Sequence, residues 1–466
     1  MKELSGTLAR NLPFAIVAAL LAVVLSLSCA QPAAAAVTKT VLPNGLCVIV
    51  KPEPGSGLVA IEAFVKAGAA QERNPLMGIG NLVARILLTS ARNRSPARLS
   101  AAFEEVGGSF RTDWSPDFTE ISAMTTVTHF DEAMNLLADV LLNEEFDPEM
   151  VEPAKEAVLA QIKGDGGGVF EAVYNQMLES LYKDNPYRRP KVGYAQCVRR
   201  ITRDEVLAFR RQWYVPSNIV ISVAGDVAEQ QVLDRLKRGF AGTGLTLTPP
   251  QRPIGEETLA QSVVRITEKD TFAAYIMIGY LAPGVRSPDF PALTVASAIL
   301  GGGKASRLFT NLREQRGIGY EVGTLYPILR NQSHLIALVV TDLYKPAIPG
   351  APSQVALQEI KDATLAEVAS LRDRLVSDEE LLRAKRYAVG SHALKRQRLR
   401  ERAFHLGWME AIGAGYQFDQ EFGSRIDAVT KEDVQRVARK YLTNYAMVVG
   451  LPKNSPAIGS PFGARN

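Results

Sequence analysis

The chain has 466 residues, of which 47% are hydrophobic and 22% are charged, and its formal net charge is +4. This length and ordinary globular composition predict two or more domains. Because acidic residues are interspersed with the basic ones, the charge does not indicate a nucleic-acid-binding surface, and no nucleic-acid partner is expected.

The first 36 residues have the three parts of a secretory signal peptide. Lys2 and Arg10 precede an apolar run, and the small-residue sequence QPAAAA ends at Ala36. The apolar run is shorter than the roughly 20 residues that a membrane-spanning helix needs. We therefore predict cleavage after Ala36 and an exported, periplasmic or secreted protein without a stable membrane span. Cys29 leaves lipid anchoring as an alternative.

Only Cys47 and Cys197 remain after this cleavage. Two isolated cysteines form neither a disulfide framework nor a sulfur-rich metal site. We expect both thiols to be packed inside strands or helices.

The chain contains one internal duplication. ITRDEVLAFRRQWYVPSNIVISVAGD from Ile201 is similar to VTKEDVQRVARKYLTNYAMVVGLP from Val429, and ARLSAAFEEVGGSF from Ala97 is similar to SRLFTNLREQRGIGY from Ser306. In the first pair, a Thr caps a helix with acidic residues in its first turn, and a strand that stops at Gly follows. A repeat of more than 200 residues indicates tandem domains instead of a solenoid of short repeats.

The segment AGTGLTLTPPQRPIGEE, residues 241–257, is rich in Gly, Thr and Pro and reads as a linker. It separates an N-terminal domain at 37–240 from a C-terminal domain at 258–466. Each half shows strand-like segments first, helices next and a final strand. We predict an α+β fold of two tandem homologous domains, each a mostly antiparallel β-sheet packed with helices.

The segment GIGNLVARILL predicts an amphipathic helix with the polar residues Asn81 and Arg85 on one face. GGGKAS from Gly301 lacks the earlier glycine of a phosphate-binding loop, because that position is Ala298, so nucleotide binding is not indicated. Histidine spacing does not support a zinc site either, since no two histidines lie within five residues of each other. The histidines are His129, His334, His392 and His405.

Further segments match a known family in their order and spacing. They are VLPNGLCVIV, NPYRRPKVG, LGGGKASRLFTNLREQRGIGYEV and DEELLRAKRYAVG, together with the two duplicated helix–strand segments. With them the sequence resembles the pitrilysin/insulinase family of zinc metallopeptidases, in the branch of mitochondrial processing peptidase subunits and bacterial two-domain homologues. The resemblance covers nearly all of the mature chain and implies the processing-peptidase/LuxS-like metallohydrolase architecture.

In that family a first-domain helix carries His-x-x-Glu-His, and a later helix supplies a glutamate as the third zinc ligand. The matching positions here are Asn81, Ala84, Arg85 and Gln161. Ala84 cannot act as a base, Arg85 has a permanent positive charge, and neutral amides are poor zinc ligands. The resemblance therefore implies a degenerate zinc site that lacks the zinc-binding motif and holds no cofactor in this chain.

The family's second domain carries an Arg and a Tyr, seven residues apart, that hold the substrate carbonyl. Arg313 and Tyr320 match them. A cation and a phenol stabilise the negative charge that develops on oxygen when a peptide carbonyl is attacked. Because RGIG lies between the two residues, we expect the helix to end there and Tyr320 to start the next strand.

Two functions are compatible with these residues. In the first, the chain is the non-zinc subunit of an exported heterodimeric metallopeptidase and supplies Arg313 and Tyr320 to a homologous partner that carries zinc on an intact His-x-x-Glu-His. In the second, it is a non-catalytic peptide-binding or scaffold protein of the same fold, which captures extended peptides at an edge strand near SFRTDWSPDFTEISA. An independent peptidase with other ligands is disfavoured by the scattered histidines.

We expect the exported protein to begin at Val37, because the small-residue run ends at Ala36. Mass spectrometry of the N-terminus of the protein isolated from its producing cell checks this. A diacylated Cys29 at the N-terminus would establish lipid attachment in place of the soluble form.

Overall fold

The structure is a computed structural model, and it describes residues 36–89, 96–143, 147–164, 168–245, 247–250, 254–342 and 357–453. The expected signal peptide, except for Ala36, and the alternative lipid site at Cys29 lie outside the described residues. No helix within the described ranges is both long enough and apolar enough to cross a membrane.

The first half of the chain forms one six-stranded sheet. Its strands are β1 (Thr38–Val41), β2 (Cys47–Pro52), β3 (Leu58–Val65), β4 (Arg111–Trp114), β5 (Thr119–Thr126) and β6 (Ile219–Gly225). They lie in the order β1-β2-β6-β3-β5-β4. All neighbours are antiparallel except β2 and β6, which are parallel.

The second half forms a five-stranded sheet. Its strands are β7 (Val263–Lys269), β8 (Ala274–Ala282), β9 (Glu321–Leu325), β10 (Ser333–Thr341) and β11 (Ala446–Pro452). The order β7-β11-β8-β10-β9 repeats the order β2-β6-β3-β5-β4 of the first sheet, including its one parallel pair. The shared topology confirms the predicted α+β fold of two homologous, mostly antiparallel units. Strand β1 is the addition in the first half.

Helices and strands alternate in a similar order along the chain in both halves. In the first half they are α1 (Ile79–Leu87), α2 (Pro96–Glu105), α3 (Phe130–Leu142), α4 (Val151–Lys163), α5 (Val169–Leu181), α6 (Ala195–Val198), α7 (Arg203–Trp213) and α8 (Glu229–Gly239). In the second half they are α9 (Phe290–Gly301), a π-helical segment (Phe309–Gln315), α10 (Leu357–Asp373), α11 (Asp378–Leu394), α12 (Leu399–Ala411), α13 (Phe418–Asp427) and α14 (Lys431–Tyr441).

The duplicated segments form the expected capped helix and strand in both halves. Thr202 and Thr430 each accept a backbone N–H in the first turn of α7 and α14, at 3.3 and 3.1 Å. Strand β6 stops at Gly225, as predicted. The matching prediction for β11 is wrong, because this strand passes through Gly450 to Pro452. Its parallel ladder with β7 continues to that residue, so the chain remains extended.

One helix of each half packs on the sheet of the other half. Helix α5 of the first half packs on β8 and β11 of the second sheet, and α12 of the second half packs on β3 and β6 of the first sheet. The other helices cover the opposite faces. Every residue of β6 and of β10 is consequently buried, as expected of strands that are covered on both sides.

Glycines allow the two exchanged helices to approach the sheets closely. A Cβ atom at Gly407 of α12 would lie 2.4 Å from the ring of Phe64 and from Oγ of Ser222. The same atom at Gly279 of β8 would lie 2.7 Å from Sδ of Met177 on α5. Both distances are far shorter than a van der Waals contact, so only glycine fits at these crossings.

The end of the expected linker is tied to the first half. The Glu257 carboxylate accepts the backbone N–H groups of Lys183, Asp184 and Asn185 at 2.6–2.8 Å. Gln332 also exchanges two 2.8 Å hydrogen bonds with the Glu257 backbone. The described part of residues 241–257 contains no helix or strand. Its C-terminal end is therefore an ordered connection between the two sheets.

The two cysteines lie where the sequence indicates. Cys47 is on β2 and Cys197 is in the short helix α6, and both are buried and free. Burial raises the pKa of the Cys47 thiol to about 11, so this group stays a protonated, unreactive thiol at neutral pH.

A buried carboxylate pair lies under the exchanged helix α12. Glu62 of β3 and Glu120 of β5 are 0% and 5% exposed. Arg400 of α12 donates to Glu62 at 3.3 Å, to Glu120 at 3.1 Å and to Ser122 at 2.8 Å. Burial and then the Glu120 carboxylate raise the pKa of Glu62 well above its usual 4.5. One cation thus faces two acids, and Oε2 of Glu62 is buried without a hydrogen-bond partner.

This pair should make stability decrease as the pH rises. The folded state retains a proton on Glu62 above the ordinary pKa of 4.5, whereas the unfolded state releases it. The free energy of unfolding should therefore fall by up to about 1.4 kcal/mol per pH unit between that value and the folded-state pKa. Glu62→Gln, which cannot ionise, should reduce this slope in urea unfolding measured between about pH 5 and 8.

The matched control is Glu105→Gln, at an exposed position of α2. This change should leave the slope unchanged. Equal slopes in the wild type and in Glu62→Gln would show that the pair does not control the pH dependence.

Candidate functional site

The start of helix α1 is hydrogen-bonded to the side chain of the buried residue Glu72. Its N-cap residue is Gly78, whose φ of 101° is in the left-handed region that favours glycine. The Glu72 carboxylate accepts the backbone N–H groups of Gly78 at 2.7 Å and of Gly80 at 2.9 Å. Glu72 thus satisfies two of the free donors at the start of the helix. Burial raises the pKa of Glu72 to about 8.

The ring of Trp114 fixes the position of the same helix turn. A Cβ atom at Gly80 would lie 1.8 Å from this ring, so strand β4 and α1 touch directly. Trp114 also donates from Nε1 to the carbonyl of Lys191 at 2.9 Å. The helix start is therefore held by packing and by a carboxylate.

The four positions matched to the zinc motif lie on α1 and α4. Asn81 and Ala84 are buried, at 6% and 3% exposure, and Arg85 is exposed. Helix α4 packs against α1 and carries Gln161. Nη2 of Arg85 donates to Oε1 of Gln161 at 2.7 Å. Residues separated by 76 positions in the sequence thus meet at the place where the family resemblance puts them.

This donor set does not fit a zinc ion. Zinc in proteins is bound by imidazole, thiolate and carboxylate groups. The side chains that meet here are a guanidinium and a neutral amide, and the guanidinium brings a positive charge to the position of a dication. A unit charge about 4 Å from a like charge costs roughly 4 kcal/mol at an effective dielectric of 20. Within the described ranges, no three His, Cys, Asp or Glu side chains converge as a metal site.

The histidines serve packing instead. His129 is exposed, and His334 is buried between Tyr174 and Tyr182, which contact its two ring nitrogens at 2.7 and 3.0 Å. Burial lowers the pKa of His334 to about 3, so this ring stays neutral. The rings of His392 and His405 meet edge to face with their centroids 5.6 Å apart, a proximity that sequence spacing did not reveal.

Arg313 and Tyr320 flank a turn built on two left-handed glycines. The π-helical segment that contains Arg313 ends at Gln315, and Gly317 and Gly319 follow with φ of 67° and 79°. The expected break in the helix is confirmed. Tyr320 lies immediately before β9, and its N–H donates to the carbonyl of Val340 at 3.0 Å, so it extends this strand as expected.

Both side chains of this pair are available to a ligand. Arg313 is exposed and forms no hydrogen bond or ion pair with the described residues. Tyr320 is 52% exposed. Burial and then the carboxylate of Asp342, which also forms a side-chain hydrogen bond with Tyr320, raise the pKa of its phenol. A cation and a neutral donor at one surface are the groups that stabilise a developing oxyanion.

The expected edge strand is β4, which lies at one edge of the first sheet. SFRTDWSPDFTEISA forms β4 and the start of β5, and among the described strands β4 pairs with β5 alone. Neither Glu72 nor the Glu62–Glu120 pair was predicted from the sequence. A signal existed for Glu72, since a lone acidic residue precedes the glycine that opens α1. No local signal existed for the pair, because its cation comes from α12.

Comparisons with known proteins agree with this architecture. Residues 47–193 match the family model described as insulinase, peptidase family M16, and residues 200–387 match the model described as peptidase M16 inactive domain. An uncharacterized zinc protease of Mycobacterium leprae is 26% identical over 88% of this chain and 90% of its own. A probable mitochondrial-processing peptidase subunit beta of Arabidopsis thaliana is 24% identical over 86% of this chain and 76% of its own.

Solved structures share the fold. A protease from Helicobacter pylori superposes with a TM-score of 0.80 at 18% identity, over 90% of this chain and 99% of its own. A structure titled peptidase M16 inactive domain, from Pseudomonas fluorescens, superposes with a TM-score of 0.78 at 20% identity, over 90% of this chain and 98% of its own.

The isolated chain should hold no stoichiometric zinc and cleave no peptide, because its donor set does not fit the ion. Elemental analysis after metal-free purification measures the zinc content. A quadruple variant, Asn81→His with Ala84→Glu, Arg85→His and Gln161→Glu, should bind about one zinc, since α1 and α4 already place these positions together. About one zinc per wild-type chain, with chelator-sensitive cleavage, would contradict this.

Proposed function

Because the chain belongs to peptidase family M16, the insulinase family, we propose that it is the non-zinc subunit of a two-subunit metallopeptidase. The observation that supports this proposal is the difference between the zinc-motif positions of the first half and the Arg/Tyr pair of the second half. The positions on α1 and α4 that match the zinc motif carry no zinc donor, whereas Arg313 and Tyr320 are exposed.

The pair has the chemistry of a substrate-binding and transition-state-binding site. Attack on a peptide carbonyl develops negative charge on its oxygen, and donors placed beforehand at that oxygen lower the barrier. The raised pKa of Tyr320 keeps its hydroxyl as a donor. Arg313 has no competing partner among the described residues, so its charge remains free for the substrate.

The zinc and the general base then come from a partner subunit. We infer a homologous chain with an intact His-x-x-Glu-His, whose first-half crevice faces Arg313 and Tyr320 of this chain. A relative that is named as a subunit of a processing peptidase supports a two-subunit assembly. The proposed substrate is a peptide, and the signal-like N-terminus supports a location of the assembly in the periplasm or outside the cell.

A second candidate function is a non-catalytic peptide-binding or scaffold protein. The edge strand β4 favours it, since an edge strand offers unpaired N–H and C=O groups to an extended peptide. The two functions differ in one respect: only the first requires Arg313 and Tyr320 for turnover.

Arg313→Ala or Tyr320→Phe should lower the turnover of a reconstituted pair by about 100- to 1000-fold, the usual effect of losing one oxyanion donor. The measurement is cleavage of a fluorogenic peptide by the mixed dimer, with assembly checked by size-exclusion chromatography. Neither change should affect assembly.

The matched control is Glu314→Ala, an exposed neighbour of Arg313 on the same segment. Its turnover should equal that of the wild type. Full turnover in both Arg313→Ala and Tyr320→Phe would leave the scaffold function.

A further inference from the structure

The second half contains a cavity in the place that the α1–α4 crevice occupies in the first half. Helix α1 follows β3 and packs on α4 and β4, and helix α9 follows β8 and packs on α11 and β9. The cavity lies between α9, α11 and the end of β9, with α5 of the first half closing one side. Its volume is about 480 Å³, within the range of about 300–1,000 Å³ that is typical of ligand sites.

The walls of this cavity are mainly aromatic and apolar. Phe170 and Tyr174 come from α5, Phe290 from α9, Tyr387 from α11 and Phe422 from α13. Rings on several sides favour a flat, bulky apolar group, because aromatic pairs gain about 0.5–1.5 kcal/mol beyond the area that they bury. Tyr387 is 46% exposed and stands at the opening.

The polar groups of the lining are hydroxyls, the ring of His392, which is held by Asp419 at 2.8 Å, and one cation, Lys395. No Asp or Glu is among the described residues of the lining. Lys395 lines the cavity, Arg386 lines the groove beside it, and Lys304 lies in a depression that shares Tyr387 with it. All three are exposed, and none pairs with a described residue. The nearby Glu380 is already engaged by Arg307 at 2.7 and 2.8 Å.

We propose that this cavity, whose lining does not include Arg313 or Tyr320, binds an aromatic side chain of an acidic peptide segment as a second peptide subsite. The proposal rests on the proposed function in so far as the chain recognises peptides. The apolar walls take up the ring, and the unpaired cations at the rim attract the flanking carboxylates. A neutral or basic peptide gains nothing from this rim, so the site selects for negative charge.

The test measures binding to this chain alone, without a partner or turnover. The probe is a fluorescein-labelled Asp-Glu-Phe-Glu-Asp peptide, followed by fluorescence anisotropy at low salt. Replacing its Phe by Ala should weaken binding about tenfold or more, the value of burying one large apolar side chain. Replacing its acids by Lys should abolish binding, and added salt should weaken the binding of the acidic form.

Two variants locate the site. Ser391→Trp, at a half-buried position of the lining, should fill the cavity and abolish binding. Lys395→Glu should weaken binding at least tenfold. The control Lys237→Glu changes the same charge at an exposed position of α8 and should have no effect. Circular dichroism melting confirms that each variant is folded.

The outcome separates this site from the catalytic proposal. Turnover is measured on the mixed dimer and peptide binding on this chain alone, so loss of turnover and loss of peptide binding are independent results. No binding of the Phe peptide, equal binding of the Phe and Ala peptides, or unchanged binding by Ser391→Trp would each overturn the proposal.

Discussion

The constraint on which this structure depends is that each sheet must be covered on both faces. The central strands β6 and β10 are buried along their whole length, and a strand of that kind is stable only when helices lie on both sides. The chain meets the requirement by exchange. Helix α5 closes the second sheet, and α12 closes the first. As a result, two of the buried apolar clusters contain residues of both halves, for example Phe64 with Leu406 and Met177 with Met277.

The exchanged helices also contribute side chains to the cavity of the second half and to the buried carboxylate pair of the first half. Helix α5 contributes Phe170 and Tyr174 to the cavity of the second half. Helix α12 brings Arg400 to the buried carboxylates Glu62 and Glu120 of the first. A change that loosened either helix would therefore alter a site in the half that the helix does not come from. Close glycine crossings such as Gly407 over Phe64 leave little room for such movement.

Packing explains how α1 and α4 keep their arrangement without zinc-binding side chains. The start of α1 is held by Glu72 and Trp114, neither of which needs a metal. Arg85 and Gln161 meet at 2.7 Å and replace metal coordination with one hydrogen bond between the helices. The backbone can therefore retain the family arrangement although the side chains at the matched positions do not fit a zinc ion, and Arg313 and Tyr320 are carried by a separate turn that these substitutions do not touch.

The sequence by itself determined the features that depend on residues close to each other in the chain or on family resemblance. The duplication, the Thr202 and Thr430 caps, the glycine break before Tyr320 and the meeting of Arg85 with Gln161 all followed from spacing or family resemblance. Local periodicity specifies an element but not its distant neighbour, and for that reason only the tertiary structure decided the helix exchange. Arg400 and Glu62 are 338 residues apart, and the cavity walls come from both halves. Their contacts arise from non-local packing of apolar faces, which no short segment encodes.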